Sequence, residues 1–182
     1  MDTDIRVLRL EPRFRDEKFR TPLKFGSGII SSITSFTVRA EVENKRGEIA
    51  EGWGNILLSV VWAFPSAVLS FEERDRAMRQ VSQRFCEFME KDQRFDHPID
   101  KYLRVKENLI RIAQEVSKEM NLKEPMPVLG ALTCGSPLDA ALHDAFGRVN
   151  GICSYDGYGP QFMDHDLSLY LGAVSYTHLR AH

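Results

Sequence analysis

Apolar and polar residues alternate along the first third of the chain in a way that predicts β-strands. From Phe36 to Val42 every second residue is apolar, so the strand predicted over Ile33 to Glu43 has one buried and one solvent-facing side. Ile5 to Leu10 is a shorter strand candidate. Glu48 to Gly54 is predicted to return as a partner strand after the turn Asn44 to Gly47. These pieces predict a small antiparallel meander.

Two later segments carry apolar residues at the spacing of an amphipathic helix. The first opens with a capping box, in which Ser70 is followed three residues later by Glu73. The second begins near Pro98 and ends before Asn121. We expect both apolar stripes to be core.

A third helix is predicted from Ser136 to Asn150. Ser136 is placed to cap the N-terminus, Pro137 can occupy the first helical position, and Gly151 can end the helix. Its apolar face consists of Leu138, Ala141, Leu142, Ala145, Phe146 and Val149. Strands followed by helices indicate an α+β fold, in which a three-stranded antiparallel meander is followed by a helical bundle.

Composition and charge are those of an ordinary globular domain. The 182 residues are 43% hydrophobic, and 24 basic against 26 acidic residues give a net charge of −2. Basic residues are scattered, which argues against a nucleic-acid partner. Arg6, Arg9, Arg13, Arg15 and Arg20 cluster near the start, where a solvated face is favoured over an anion site.

No segment of the sequence indicates a membrane partner or a metal centre. The longest apolar stretch, Ile56 to Leu69, is too short to span a bilayer. The N-terminal Met-Asp-Thr-Asp lacks the features of a secretory signal, so we expect a cytoplasmic location. Three cysteines without Cys-x-x-Cys spacing indicate reduced thiols rather than zinc ligands. His165 lies between two aspartates, a pattern that we interpret as a surface loop.

Three motifs in this order resemble the N-terminal capping domain of the mandelate racemase and muconate lactonising branch of the enolase superfamily. Asp139, Ala141, Asp144 and Gly147 fit that family's Ala-x-Asp-x-Ala-x-x-Asp-x-x-Gly helix, although Pro137 replaces the first alanine. Upstream, Arg-Thr-Pro-Leu-Lys-Phe-Gly at 20–26 and Glu-Gly-Trp-Gly at 51–54 look like the two mobile loops of the cap. His143 stands where the family commonly has a larger residue, and we do not expect it to be catalytic.

This resemblance implies a division of the chain and a parent activity. Residues 1–151 would be the capping domain and 152–173 would lead into a β/α barrel that the chain lacks. Residues 174–182 resemble the translation of a sequencing-library adapter, so we expect a non-native tail. The parent would be a Mg²⁺-dependent racemase, epimerase or dehydratase that removes the proton next to a substrate carboxylate.

The same resemblance implies which residues of this chain meet substrate. No catalytic residue and no metal ligand are expected here, because both belong to the barrel. Lys24 and Arg20, in a loop over 20–31, could pair with the carboxylate of a small-molecule substrate. Trp53 and Asn55, in a loop over 52–66 with Trp62, would offer an apolar wall and an amide. The alternative interpretations are a Gly-rich turn and a buried hydrophobic segment.

Two functions therefore remain open from the sequence. One is the N-terminal fragment of such an enzyme, whose cap closes the active site and sets specificity, with a homo-oligomer possible. The other is a standalone, non-catalytic α+β binding or interaction module. A fragment separated from its barrel should expose an apolar patch larger than monomers normally show.

Overall fold

A computed structural model describes residues 1–25 and 28–171 of the chain. It confirms the α+β prediction, with a three-stranded antiparallel sheet in the order β1-β2-β3 followed by helices. The strands are β1 (Ile5–Phe25), β2 (Gly28–Asn44) and β3 (Ile49–Leu58). The helices are α1 (Val60–Ala63), α2 (Phe71–Glu90), α3 (Pro98–Glu119), α4 (Val128–Asn150), a 3₁₀ turn (Ser154–Tyr158) and α5 (Leu167–Leu171).

The sheet buries one face against the helices, as its alternating sequence predicts. Phe36, Val38, Ala40 and Val42 of β2 are all fully buried. The turn between β2 and β3 contains Gly47 at φ +81°, a conformation that favours glycine. In the described residues no helix is both long and apolar enough to cross a bilayer.

The β1–β2 hairpin is much longer than the sequence predicts. The loop expected over 20–31 is instead strand on both sides, apart from Gly26 and Ser27, which lie outside the described residues. Strand β1 continues through charged residues because charged side chains on the outer face of the sheet form ion pairs with neighbouring strands. Arg39 of β2, for example, bonds to Glu11 of β1 at 2.8 Å and also to Glu51 of β3. The register shifts between Lys18 and Leu23. The predicted loop over 52–66 is likewise strand as far as Leu58, and Val60–Ala63 is helical.

The two amphipathic helices begin as predicted. The Ser70 Oγ atom accepts from the Glu73 amide at 3.1 Å, and the Ser70 amide donates to Glu73 Oε2 at 2.7 Å, which completes the capping box of α2. Helix α3 starts at Pro98, and the side chain of His97 caps it by accepting from the Ile99 amide.

Helix α4 is longer than predicted, and Ser136 is not its N-cap. The helix starts at Val128, eight residues earlier than Ser136, and Pro137 lies inside it. Val128 and Leu129 at its start are exposed, but most residues from Gly130 to Gly135 are buried, and a Cβ on Gly135 would lie 2.6 Å from Leu109 of α3. Tertiary packing thus overrides the breaking effect of glycine and proline. The predicted apolar face is buried throughout, and Gly151 ends the helix at φ +66°.

The contact between β3 and α4 is made by backbone against backbone. A Cβ on Gly54 would lie 2.0 Å from the Pro137 carbonyl oxygen, and one on Gly52 would lie 2.2 Å from the Ala145 nitrogen. Glycine is therefore required at both positions for steric reasons. The Glu-Gly-Trp-Gly motif, predicted to belong to a loop, lies within β3 and packs against α4.

We expect Gly54→Ala to reduce the free energy of unfolding by several kcal/mol, because the new methyl group must push α4 away from β3. Urea unfolding followed by circular dichroism measures the change. Gly47→Ala is the matched control, since its methyl group meets nothing within 4 Å and carries only the conformational cost of positive φ, about 1–2 kcal/mol. Equal losses in the two variants would contradict the steric argument.

Candidate functional site

The four residues predicted to contact substrate lie at two separate places in the structure. Trp53 and Asn55 lie on the outer face of β3, opposite Arg39 and Thr37 of β2. Lys24 pairs with Ile29 near the tip of the hairpin, and Arg20 lies in the irregular part of β1. Ile29 and Thr37 are eight residues apart along β2, which corresponds to about 27 Å. The described structure does not bring the two pairs together.

The Asn55 amide group is fixed on the sheet. Its Nδ2 group carries two N–H donors and has three acceptors within hydrogen-bond distance: Thr37 Oγ1 at 2.7 Å, Ser35 Oγ at 3.0 Å and the Phe36 carbonyl at 3.1 Å. These acceptors all belong to β2, so the side chain bridges two strands. Trp53, two residues earlier on the same face, keeps 45% of its surface exposed. The pair presents an indole and an immobilised amide to solvent.

Asp144, a residue of the family-like motif, binds the edge of the sheet. Its Oδ2 atom accepts the backbone N–H of Trp53 at 2.9 Å, and both carboxylate oxygens accept from Arg148 Nε. Strand β3 lies at the edge of the sheet formed by the described residues, so within that part of the chain no further strand lies beside this amide. The motif aspartate therefore holds the strand that carries Trp53.

Most of the N-terminal arginines are paired with carboxylates. Arg9 and Arg13 each contact Glu11 at 3.1 Å, Arg6 contacts Glu43 at 2.6 Å, and Arg15 contacts Glu17. The favoured interpretation of a solvated, charged face fits these contacts better than an anion site. Because the side chains are largely exposed, each pair adds little to stability.

Lys101 is a buried lysine that the sequence did not reveal. Its Nζ atom donates to the Arg94 carbonyl at 2.7 Å and lies 3.4 Å from Asp92, and none of the side chain is exposed. Burial lowers its pKa, and the two nearby aspartates, Asp92 and Asp96, oppose that shift. The lysine fixes the connection between α2 and α3. A charged residue in the first turn of a helix gives no sequence signal for such a position.

A second group that sequence reasoning missed is a cluster of two histidines and a tyrosine. His97 is 2% exposed, and its ring centroid lies 6.1 Å from that of His143 and 5.9 Å from that of Tyr158. His143 Nδ1 lies 2.8 Å from the Tyr158 hydroxyl. The three residues come from distant parts of the sequence, so no local motif could have indicated the cluster.

Neither of these groups forms a metal centre. Throughout residues 1–25 and 28–171, no three His, Cys, Asp or Glu side chains converge so as to hold a metal ion. The residues present therefore do not fit the Mg²⁺ ion that the family resemblance implies for the parent enzyme. Cys86 and Cys134 are buried, and burial raises the pKa of each thiol to about 12.

Exposed apolar side chains lie on β3 and on elements that follow it, and others lie elsewhere, such as Ile29 near the hairpin tip, which is 76% exposed. Trp53 and Leu57 are four residues apart on the outer face of β3, and each is 45% exposed. Trp62 of α1 is 52% exposed, and Val68 and Val128 are each 53% exposed. We call these five residues the apolar surface. Exposed patches of this kind commonly mark sites where another surface binds.

Comparisons with known proteins give structural matches alone. No protein-family model matches the chain. No curated protein matches it in sequence. An enolase from Bradyrhizobium in complex with magnesium and mandelic acid aligns at 14% identity over 83% of this chain, with a TM-score of 0.47.

Two further solved structures align to a similar extent. They are the L-Ala-D/L-Glu epimerase from Bacillus subtilis, at 15% identity over 85% of this chain, and the L-talarate/galactarate dehydratase from Salmonella typhimurium, at 12% over 86%. Each has a TM-score of 0.45. The chain covers 34% of each of the three matched proteins, about a third of their length. Since the TM-scores are below 0.5 and the identities below 25%, these matches carry no argument about residues or activity.

We expect Asp144→Ala to lower the free energy of unfolding by about 1–2 kcal/mol, because the Trp53 amide loses its charged acceptor. Asp144→Asn keeps an acceptor oxygen and should cost less. Arg148→Ala is the control, since it removes an exposed ion pair worth about 0.5 kcal/mol or less. Urea titration of the three variants measures the order of their free energies of unfolding. An Arg148→Ala variant as unstable as Asp144→Ala would contradict the expected order.

Proposed function

We propose that this chain is the capping portion of an enolase-superfamily enzyme of the mandelate racemase and muconate lactonising branch. The observation that carries the proposal is that the two sequence motifs of the resemblance meet in space. The helix motif supplies Asp144 and the small residues that contact β3, and the Glu-Gly-Trp-Gly motif supplies the two glycines and the bound amide. A chance match of each motif would not explain why they pack against each other.

The division of the chain follows from the same proposal. Residues 1–151 form the capping domain, 152–173 lead towards a β/α barrel, and 174–182 are foreign to the protein. Only 152–171 of the second part are described, where they form a 3₁₀ turn and α5 beside the helices. The barrel would carry the base and the metal ligands, and Mg²⁺ bound there would stabilise the enolate that forms when a proton leaves the carbon next to a carboxylate.

In this proposal the cap shapes the site and excludes water. Trp53 offers an apolar wall, and Asn55 offers an amide oxygen, since its Nδ2 donors face acceptors of β2 that hold the group in place. Lys24 and Arg20 could pair with the substrate carboxylate, but they lie near the hairpin tip, about 27 Å along β2 from Asn55, so in the described conformation they would meet a different part of the site. Excluding water strengthens every charge interaction within a closed site. The residues of the apolar surface other than Trp53 are where we expect the barrel to dock.

The apolar surface also separates the proposed cap from a standalone module. An isolated cap should self-associate at micromolar concentration, and Leu57→Lys with Trp62→Gln should shift the weight-average mass towards the monomer in sedimentation equilibrium. Leu103→Gln is the control, because Leu103 is 41% exposed on α3, outside the apolar surface. A monodisperse, cooperatively melting monomer would favour a standalone interaction module.

The activity is tested on the protein encoded by the complete gene. We expect the reading frame beyond Ala173 to add more than about 200 residues with a Lys-x-Lys pair and three spaced acidic ligands. That protein should exchange the α-proton of a carboxylate for deuterium, and EDTA should abolish the exchange. Mandelate, dipeptides and sugar acids form the panel for NMR detection. A stop codon after Gly172 would contradict the proposal.

The contribution of the cap is tested by substitution in the same protein. Lys24→Ala should lower kcat/KM about tenfold or more, since a charge-assisted hydrogen bond to substrate contributes about 1.5–3 kcal/mol. Trp53→Ala should act in the same direction and alter the preference among substrates. Lys106→Ala, an exposed lysine on α3, is the control. Unchanged kinetics in both Lys24→Ala and Trp53→Ala would show that these residues do not contact substrate.

A further inference from the structure

The chain that follows α4 is held on the helix layer by two histidines. His97 Nε2 lies 3.1 Å from the Gly157 carbonyl oxygen, and His143 Nδ1 lies 2.8 Å from the Tyr158 hydroxyl. Gly157 and Tyr158 are consecutive residues of the 3₁₀ turn Ser154–Tyr158, which we call the docked turn. A Cβ on Gly157 would lie 2.8 Å from the Phe146 ring, so the turn sits directly on α4.

The hydrogen bonds of His97 fix which nitrogen carries its proton. Nδ1 accepts from the Ile99 amide at 3.3 Å, where it caps α3, so the neutral ring must carry its proton on Nε2. Nε2–H is then the donor to the Gly157 carbonyl. A second proton would have to sit on Nδ1, facing the Ile99 N–H. Protonation of His97 therefore removes the cap of α3 and places a charge among buried rings.

Burial and then the nearby His143 lower the pKa of His97, whereas its hydrogen bond to the Gly157 carbonyl and the carboxylates of Asp100 and Asp4 raise it. From α4, Phe146 packs at 4.7 Å between ring centroids and His143 at 6.1 Å. Of the two carboxylates that raise the pKa of His97, Asp100 lies on α3 and Asp4 lies at the N-terminus. Asp4 is itself paired at 2.7 Å with both Lys45 and the terminal amine.

His143 has a partner that accepts its charge. Its Nε2 lies 3.5 Å from Asp139 Oδ1, one turn earlier on α4. A charged His143 would then repel a proton on His97 across 6.1 Å.

We propose that His97 and His143 form an acid-sensitive latch, which holds the docked turn on α3 and α4 at neutral pH and releases it when His97 is protonated. The proposal rests on the contacts of the described residues and does not depend on the proposed function. It makes the position of the segment after α4 a function of pH.

The direction of the pH dependence follows from the two states of the turn. Burial, and then the nearby His143, lower the pKa of His97 while the turn is docked, and release should return that pKa towards about 6.5. The docking equilibrium should therefore be constant above pH 6.5. Below that value it should weaken by up to tenfold per pH unit until His97 is protonated in the docked state as well.

Hydrogen exchange of the full chain between pH 7.5 and 5.0 tests the latch. The reporter is the Asp156 amide, which donates to the Cys153 carbonyl within the turn, and the reference is the core amide of Leu109. We expect the protection factor of Asp156 to fall below pH 6.5 while that of Leu109 changes less. A flat profile for Asp156, or an equal fall at Leu109, would overturn the proposal.

Substitutions assign the effect to the named groups. His97→Gln retains a side-chain donor but cannot titrate, so its profile should be flat, and a slope equal to that of the unaltered chain would overturn the proposal. Tyr158→Phe removes the hydroxyl that contacts His143 and should reduce the protection factor of the Asp156 amide at every pH. Tyr155→Phe is the matched control, because Tyr155 lies in the same turn and is 85% exposed. A Tyr155→Phe variant as weakly protected as Tyr158→Phe would also overturn it.

One measurement keeps the test independent of how His97→Gln folds. In an NMR titration of the unaltered chain, the His97 ring proton and the Gly157 amide should share one midpoint below pH 6.5. Separate midpoints, or a His97 midpoint at or above 6.5, would overturn the latch.

Discussion

The close contact between the backbones of β3 and α4 is the constraint on which the rest of the structure depends. Two glycines let the strand approach the helix to a distance at which any side chain would collide with Pro137 or Ala145. At that distance Asp144 reaches the Trp53 amide and satisfies this one donor at the edge of the sheet. The helix is thereby fixed on β3, and the apolar faces of α2 and α3 can complete the core around it.

This arrangement leaves the two faces of the sheet with different tasks. The inner face is sealed by the helices, and the outer face combines ion pairs on β1 and β2 with exposed apolar residues on β3. Charges on the outer face allow β1 to continue as a strand where its sequence is too polar to be core. Successive residues of a strand face opposite sides of the sheet. Gly52 and Gly54 therefore face α4, and Trp53 between them faces solvent.

Buried titratable groups position the connections between the elements. Lys101 fixes the link between α2 and α3, and His97 joins the start of α3 to the turn after α4. Each group has its hydrogen bonds satisfied within the described residues, which is what makes a polar group tolerable in a core. The polar contacts therefore determine where the loops lie, while the apolar core determines how the helices and strands pack.

The local sequence pattern was sufficient to predict the fold class, but it did not predict where several strands and helices begin and end. The alternation in β2, the capping box of α2, the proline at the start of α3 and the glycine that ends α4 each act within a few residues, and the sequence alone determined them. The predicted loop over 20–31 and the predicted start of α4 at Ser136 were wrong, because pairing with β2 and burial against α3 outweighed the local signals of glycine, serine and proline.

The same distinction applies to the candidate site. The sequence determined the family resemblance and the residues that carry it, since those motifs are local. The tertiary structure decided that Trp53 and Asn55 share one face, that Lys24 lies far from them, and that Asp144 binds a backbone amide. It also brought His97, His143 and Tyr158 together from three separate segments. Such contacts depend on how helices and strands approach each other in space, and no spacing along the chain encodes that distance directly.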